Sequence, residues 1–131
     1  MIGRIHHTIV DCPDPEALAG FYSSMLGLPI TYRSHDFAVI SHDETTSGIG
    51  FQRANDFMPP AWPDPAHPQQ MHFDVMVDDL DRAHESVLAL GATKLAGGDH
   101  VYADPAGHPF CLVMRPGWAP SIDATRSARQ K

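Results

Sequence analysis

The sequence predicts an α+β fold in which two βαβββ modules form a curved mixed sheet with a concave ligand cleft. Two observations lead there. A strand that opens on a histidine and feeds a capped helix occurs twice, at His7 and at His72. Each helix is then followed by three short β-type stretches separated by polar turns. The chain therefore reads as a duplicated unit.

In the first copy, His7-Thr8-Ile9-Val10-Asp11 reads as a strand. Asp14 suits the helix N-cap, and Pro15 suits the first helical position, where a missing N–H costs nothing. Leu18, Phe21, Tyr22, Met25 and Leu26 fall at helical spacing, and Gly27 permits the left-handed stop. Pro29 to Arg33, Phe37 to Ile40 and Ile49 to Gln52 are the three strands that follow. Asp56 to Gln70 carries prolines at 59, 60, 63, 65 and 68 and reads as an extended linker. Its Phe57, Met58 and Trp62 are too large and apolar for a plain spacer, so it is expected to pack across a surface or cleft.

The second copy repeats this order. In Met71 to Asp79, alternation puts His72, Asp74 and Met76 on one face, and Phe73, Val75 and Val77 on the other. Asp78 or Asp79 caps a helix with Leu80, Ala83, Val87 and Leu88 on its apolar face, and Gly91 ends it. Asp14 precedes Gly27 by the same spacing that separates Asp78 from Gly91. Thr93 to Leu95, His100 to Ala103 and Phe110 to Met114 are strands, with a reverse turn at Asp104-Pro105-Ala106-Gly107. The expected organisation is a first module at 1–56, a Pro-rich linker at 57–70, a second module at 71–117 and a polar tail at 118–131, mobile from Ser121. Together the modules would give a sheet of about eight strands with helices on its outer face.

The bulk properties narrow the function. A formal net charge of -7 disfavours nucleic acid and anionic membranes as partners. No stretch has the length of a membrane span, and Met1 to His7 lacks an export signal's apolar core. The two cysteines, Cys12 and Cys111, are too few for a disulfide framework. A cytoplasmic protein with free thiols is the expectation.

Duplication puts His7 and His72 at pseudo-symmetric positions. Gln52 lies in the last strand of the first copy and Cys111 in the last strand of the second. Nitrogen, oxygen and sulfur donors of this kind suit a borderline or soft metal. The competing reading is structural: a histidine at a strand start is commonly a hydrogen-bonded scaffold residue, and Cys111 is commonly a small buried hydrophobe. Asp74 shares the face of His72 and could orient a ligand or serve as a base. Asp74, Phe37, Trp62 and Tyr102 are candidates to line a substrate pocket.

These stretches carry a family resemblance. His7-Thr8-Ile9-Val10 with Asp14, Phe21-Tyr22 and Leu26-Gly27-Leu28 resembles the start of a glyoxalase-type module. His72 to Asp79 resembles the start of the second, and Asp104-Pro105-Ala106-Gly107-His108-Pro109-Phe110 resembles its final hairpin. From Gly3 to about Pro116 the chain is similar to the vicinal oxygen chelate superfamily, which includes glyoxalase I, extradiol dioxygenases and bleomycin-resistance proteins. The resemblance implies paired βαβββ modules, a homodimer, a small-molecule ligand, and a divalent metal (Zn, Ni, Mn or Fe) held by one residue from each of four strand positions. Those positions fall on His7, Gln52, His72 and Cys111.

The fourth position departs from the pattern. It is normally a glutamate, which in glyoxalase I is both ligand and general base, and a thiol is a poor substitute. Extradiol dioxygenases surround iron with two histidines and a carboxylate, and that carboxylate is also missing here. Ordinary glyoxalase I activity is therefore not expected, and the expectation is a metal site that is empty or only partly filled. Two function classes stay open: a metal-dependent lyase, isomerase or dioxygenase-like enzyme, and a metal-free binding protein of the bleomycin-resistance type.

Overall fold

The computed structural model describes residues 1–123. It has an α+β fold of two compact units, one spanning Met1–Pro59 and the other starting at Pro60. The first contains β1 (His7–Cys12), α1 (Pro15–Leu26), β2 (Ile30–Arg33), β3 (Phe37–Ile40) and β4 (Gly48–Arg53). The second contains β5 (Phe73–Val77), α2 (Leu80–Ala89), β6 (Thr93–Lys94), β7 (Val101–Ala103) and β8 (Pro109–Met114). The βαβββ order therefore occurs twice. The strands form two hydrogen-bonded sheets of four, β1-β4-β3-β2 and β5-β8-β7-β6. In each, the first and last strands of the unit run parallel and the other pairs run antiparallel.

The helix ends follow local chemistry. The Asp14 carboxylate accepts the Ala17 N–H at 3.3 Å, Pro15 opens α1, and Gly27 closes it at φ 69° with its N–H on the Ser23 carbonyl. Asp79 caps α2 by accepting the Arg82 N–H at 3.1 Å. Asp78 has another task. Its carboxylate accepts from Arg115 Nε at 2.6 Å, Ser121 Oγ at 2.8 Å and the backbone N–H groups of Ile122 and Asp123. Of the stretch read as a mobile tail, residues 121–123 are thus tied to β5's end, and 124–131 lie outside the described residues. Because Asp79 is the cap, the spacing that matched Asp78 to Gly91 does not mark equivalent residues. Asp14 and Asp79 do correspond, each standing the same distance after its histidine.

Strand alternation gives each sheet a helix-packed face and a helix-free face. In the first unit Tyr22 of α1 stacks on Phe51 of β4, centroids 5.5 Å apart, and Leu18, Ala38, Ile40 and Phe51 are buried. In the second, Tyr102 stacks on Phe110 at 5.6 Å, and its hydroxyl meets Nδ1 of His84 on α2 at 2.7 Å. Residues 61–67, read as part of an extended linker, close on themselves: Ala61 N–H reaches the His67 carbonyl, and Asp64 and His67 donate within the loop. Among the described residues no helix is long and apolar enough to cross a membrane.

Candidate functional site

On the helix-free face of the first sheet stand His7, Ile9 and Asp11 of β1, paired with Gly48, Gly50 and Gln52 of β4. Phe37 and Val39 of β3 extend the row. His7 is fixed by its neighbour: the Gly48 N–H donates to its Nδ1 at 3.0 Å. A neutral imidazole that accepts at Nδ1 carries its proton on Nε2. Burial, followed by the neighbouring His6, pushes the His7 pKa down and favours this neutral form. A metal-bound histidine has the reverse arrangement, since it gives one nitrogen's lone pair to the metal and donates N–H from the other. His7 as seen here is set up to donate a hydrogen bond from Nε2.

Gln52 is exposed and pairs with Asp11. It lies four positions along β4 from the partner of His7, roughly 13 Å at about 3.3 Å per residue. The structure does not bring His7 and Gln52 together. The repeat itself explains the mismatch. His7 pairs with Gly48, and one step back along the β5–β8 register His72 stands opposite Pro109. The residue equivalent to Cys111 is therefore Gly50, not Gln52. Gly50 has no donor and no room for one: a Cβ there would come within 2.7 Å of both Ile9 Cδ1 and Phe37 Cζ.

The second unit differs. Asp74 of β5 is the register partner of Cys111 of β8, and His72 lies two residues before Asp74 on the same side. His72 Nε2 is 3.2 Å from Asp74 Oδ1. Ligand atoms of His72, Asp74 and Cys111 all lie within 4.8 Å of one another. The His72 and Asp74 side chains are 34% and 60% exposed, so the cluster is open to solvent. Burial, and then the Asp74 carboxylate, push the Cys111 thiol up. Without a cation beside it, Cys111 is a protonated thiol at neutral pH.

The pocket candidates separate in the same way. Phe37 is half-buried and covers Gly50. Trp62 stands edge-on to the His72 ring, centroids 6.3 Å apart, with its indole against Gly97 and its Nε1 buried without a hydrogen-bond partner. Tyr102 is corrected: it is fully buried on the helix-packed face, because alternation along β7 turns Val101, not Tyr102, to the side of Cys111. The sequence places Asp74 among the pocket candidates, outside the metal set, and gives no side-chain signal for Gly50. Aligning the core pairs Ile49/Phe51 and Phe110/Leu112, instead of Phe51 with Phe110, would have found the equivalence.

The four-position metal set therefore does not fit this chain. His7 presents the wrong tautomer, Gly50 supplies no donor, and Gln52 is out of register. His72 and Cys111 remain, joined by Asp74. Among the described residues, this is the group of histidine, cysteine and acidic side chains close enough to hold a metal ion.

Comparison with known proteins agrees with the fold. No curated protein sequence matches the chain significantly. A glyoxalase/bleomycin resistance protein/dioxygenase family enzyme from Burkholderia phytofirmans is 18% identical, with 84% of this chain and 97% of that one covered at a TM-score of 0.61. A glyoxalase-related enzyme from Fulvimarina pelagi is 17% identical over 93% of this chain and 95% of its own, at 0.65. The bleomycin-binding protein of bleomycin-producing Streptomyces verticillus, solved with copper(II)-bleomycin, is 16% identical over 88% of this chain and 100% of its own, at 0.52. The model of the glyoxalase-like domain family matches residues 7–113. With that match spanning both βαβββ units, the chain belongs to the glyoxalase-like domain family, within the vicinal oxygen chelate superfamily.

Proposed function

We propose that this protein binds a small organic molecule on the helix-free face of a sheet and does not catalyse the glyoxalase I reaction. The observation that carries this reading is the pair Gly50 and Cys111. These are equivalent positions in the two registers, and neither holds the carboxylate that would move a proton between adjacent carbons. What the faces do offer suits recognition. His7 supplies an Nε2–H donor, Gln52 an exposed amide, Phe37 an aromatic surface, and Asp74 a solvent-exposed carboxylate. The net charge of -7 favours a cationic or aromatic ligand. Sequestration of the kind carried out by a bleomycin-binding protein is compatible with these groups.

The competing reading is a metal-dependent lyase, isomerase or dioxygenase-like enzyme using zinc, nickel, manganese or iron. The His72, Asp74 and Cys111 cluster favours it. The two readings separate in paired assays. Calorimetric titration with bleomycin is expected to give saturable binding, and a thiol hemithioacetal of an α-ketoaldehyde is expected to show no turnover with added zinc or nickel. Turnover would overturn the proposal. The fold family also supports a homodimer, and light scattering that shows only monomer at high micromolar concentration would refute that part.

A further inference from the structure

We propose that His72, Asp74 and Cys111 form a three-residue site for a borderline-to-soft divalent cation, zinc being the best match, built wholly from the second unit. The proposal does not depend on the ligand reading above.

Three observations carry it. The first is convergence. Asp74 and Cys111 face each other in register on the parallel strands β5 and β8, and His72 joins them by strand period. The second is distance. A tetrahedral zinc centre, with bonds of about 2.0 Å to nitrogen or oxygen and 2.3 Å to sulfur, needs donor atoms roughly 3.3–3.8 Å apart. The His72–Asp74 contact is already 3.2 Å, and no ligand-atom pair in the cluster exceeds 4.8 Å. Closing the widest gap takes roughly an ångström, within reach of side-chain rotation at a solvent-open cluster. The third is asymmetry. At the equivalent positions the first unit has His7, Ile9 and Gly50, so the cluster is not a by-product of the repeat.

The donor chemistry selects the cation. One imidazole nitrogen, one carboxylate oxygen and one sulfur suit zinc far better than magnesium or calcium, which take oxygen-only sets. Three protein donors leave a fourth position for water or a ligand oxygen, the arrangement of an open rather than a purely structural zinc site. Trp62 stands beside His72 and limits the ring's freedom on one side. The same three residue types also resemble a thiol nucleophile with a histidine base, and the experiment separates that reading.

The test is cobalt(II) titration of the 131-residue chain after chelator treatment and buffer exchange. A thiolate-to-cobalt charge-transfer band that saturates at one equivalent and is bleached by zinc is expected. Cys111→Ser should remove the band, and His72→Ala and Asp74→Asn should each weaken binding at least tenfold. Gln52→Ala and His7→Gln should leave the titration unchanged. Circular dichroism checks that every variant is folded. Zinc should also slow alkylation of Cys111, followed by peptide mass spectrometry, in the unmodified protein. Absence of the band at stoichiometric cobalt would overturn the proposal. So would loss of the band in His7→Gln, which would return the metal to the four-position set. Rapid Cys111 alkylation that zinc does not slow would favour the nucleophile reading and also overturn it.

Discussion

Gly50→Ala tests whether the first unit is closed to a ligand side chain at the position that matches Cys111. The added methyl would come 2.7 Å from Ile9 Cδ1, 2.7 Å from Phe37 Cζ and 3.1 Å from Phe37 Cε2. Ile9 is exposed, and its terminal methyl can turn away. The Phe37 ring is half-buried and rigid beyond its two torsions, so it carries most of the strain. Overpacking of this kind costs about 1–3 kcal/mol. Replacing glycine within a strand recovers about 0.5–1 kcal/mol through the unfolded chain's lost freedom. The net expectation is a loss of about 1 kcal/mol, read as a lower midpoint in urea denaturation followed by far-ultraviolet circular dichroism. In a cycle with Phe37→Ala, the two changes should couple by at least ~0.5 kcal/mol, because removing the ring opens the space the methyl needs. Gly50→Ala at or above the parent stability, or additive behaviour with Phe37→Ala, would refute the argument.

Asp78 should make the 121–123 segment acid-sensitive. The Ile122 N–H first, then Ser121, Asp123 and Arg115, hold its carboxyl down from 3.8 to about 2. A depressed acid contributes stability that is present above pH 4 and lost as pH falls towards 2; hydrogen exchange at Ile122 and Asp123 should accelerate over that range, and Asp78→Asn should produce fast exchange already at neutral pH. Tyr102→Phe should cost about 0.5–1.5 kcal/mol by removing the hydroxyl that meets His84, without changing cobalt binding; a changed cobalt titration would contradict its place on the helix-packed face. Cys111→Glu should shift preference from zinc towards manganese, since a second carboxylate beside Asp74 replaces the sulfur donor; calorimetric titration with both metals checks this, and an unchanged preference would mean that Cys111 does not face Asp74.

Local chemistry carried most of the fold into view. Asp14, Pro15 and Gly27 mark their helix because each satisfies a backbone requirement that few other residues meet at that place. Alternation in Phe73 to Val77 marks a strand with one covered face for the same kind of reason. The loop around Trp62 was less legible. Proline says where regular structure stops, but not that Ala61 and His67 will bond to each other.

The candidate site was half legible, and the missing half is a matter of register. Which residues of β1 and β4 stand side by side depends on hydrogen bonds between strands far apart in sequence, and no local signal fixes that offset. Gln52 has a donor that fits the resemblance, and it follows a phenylalanine as Cys111 does. Gly50, the register equivalent of Cys111, carries no side chain that would mark it in the sequence. Likewise the single Gly48 N–H that fills Nδ1 of His7 decides whether that ring can hold a metal, and only the folded ladder supplies it. His72 and His7 look alike in sequence and open equivalent strands. Their neighbours divide them: a backbone donor occupies Nδ1 of one, and a carboxylate with a thiol opposite makes the other a candidate for metal.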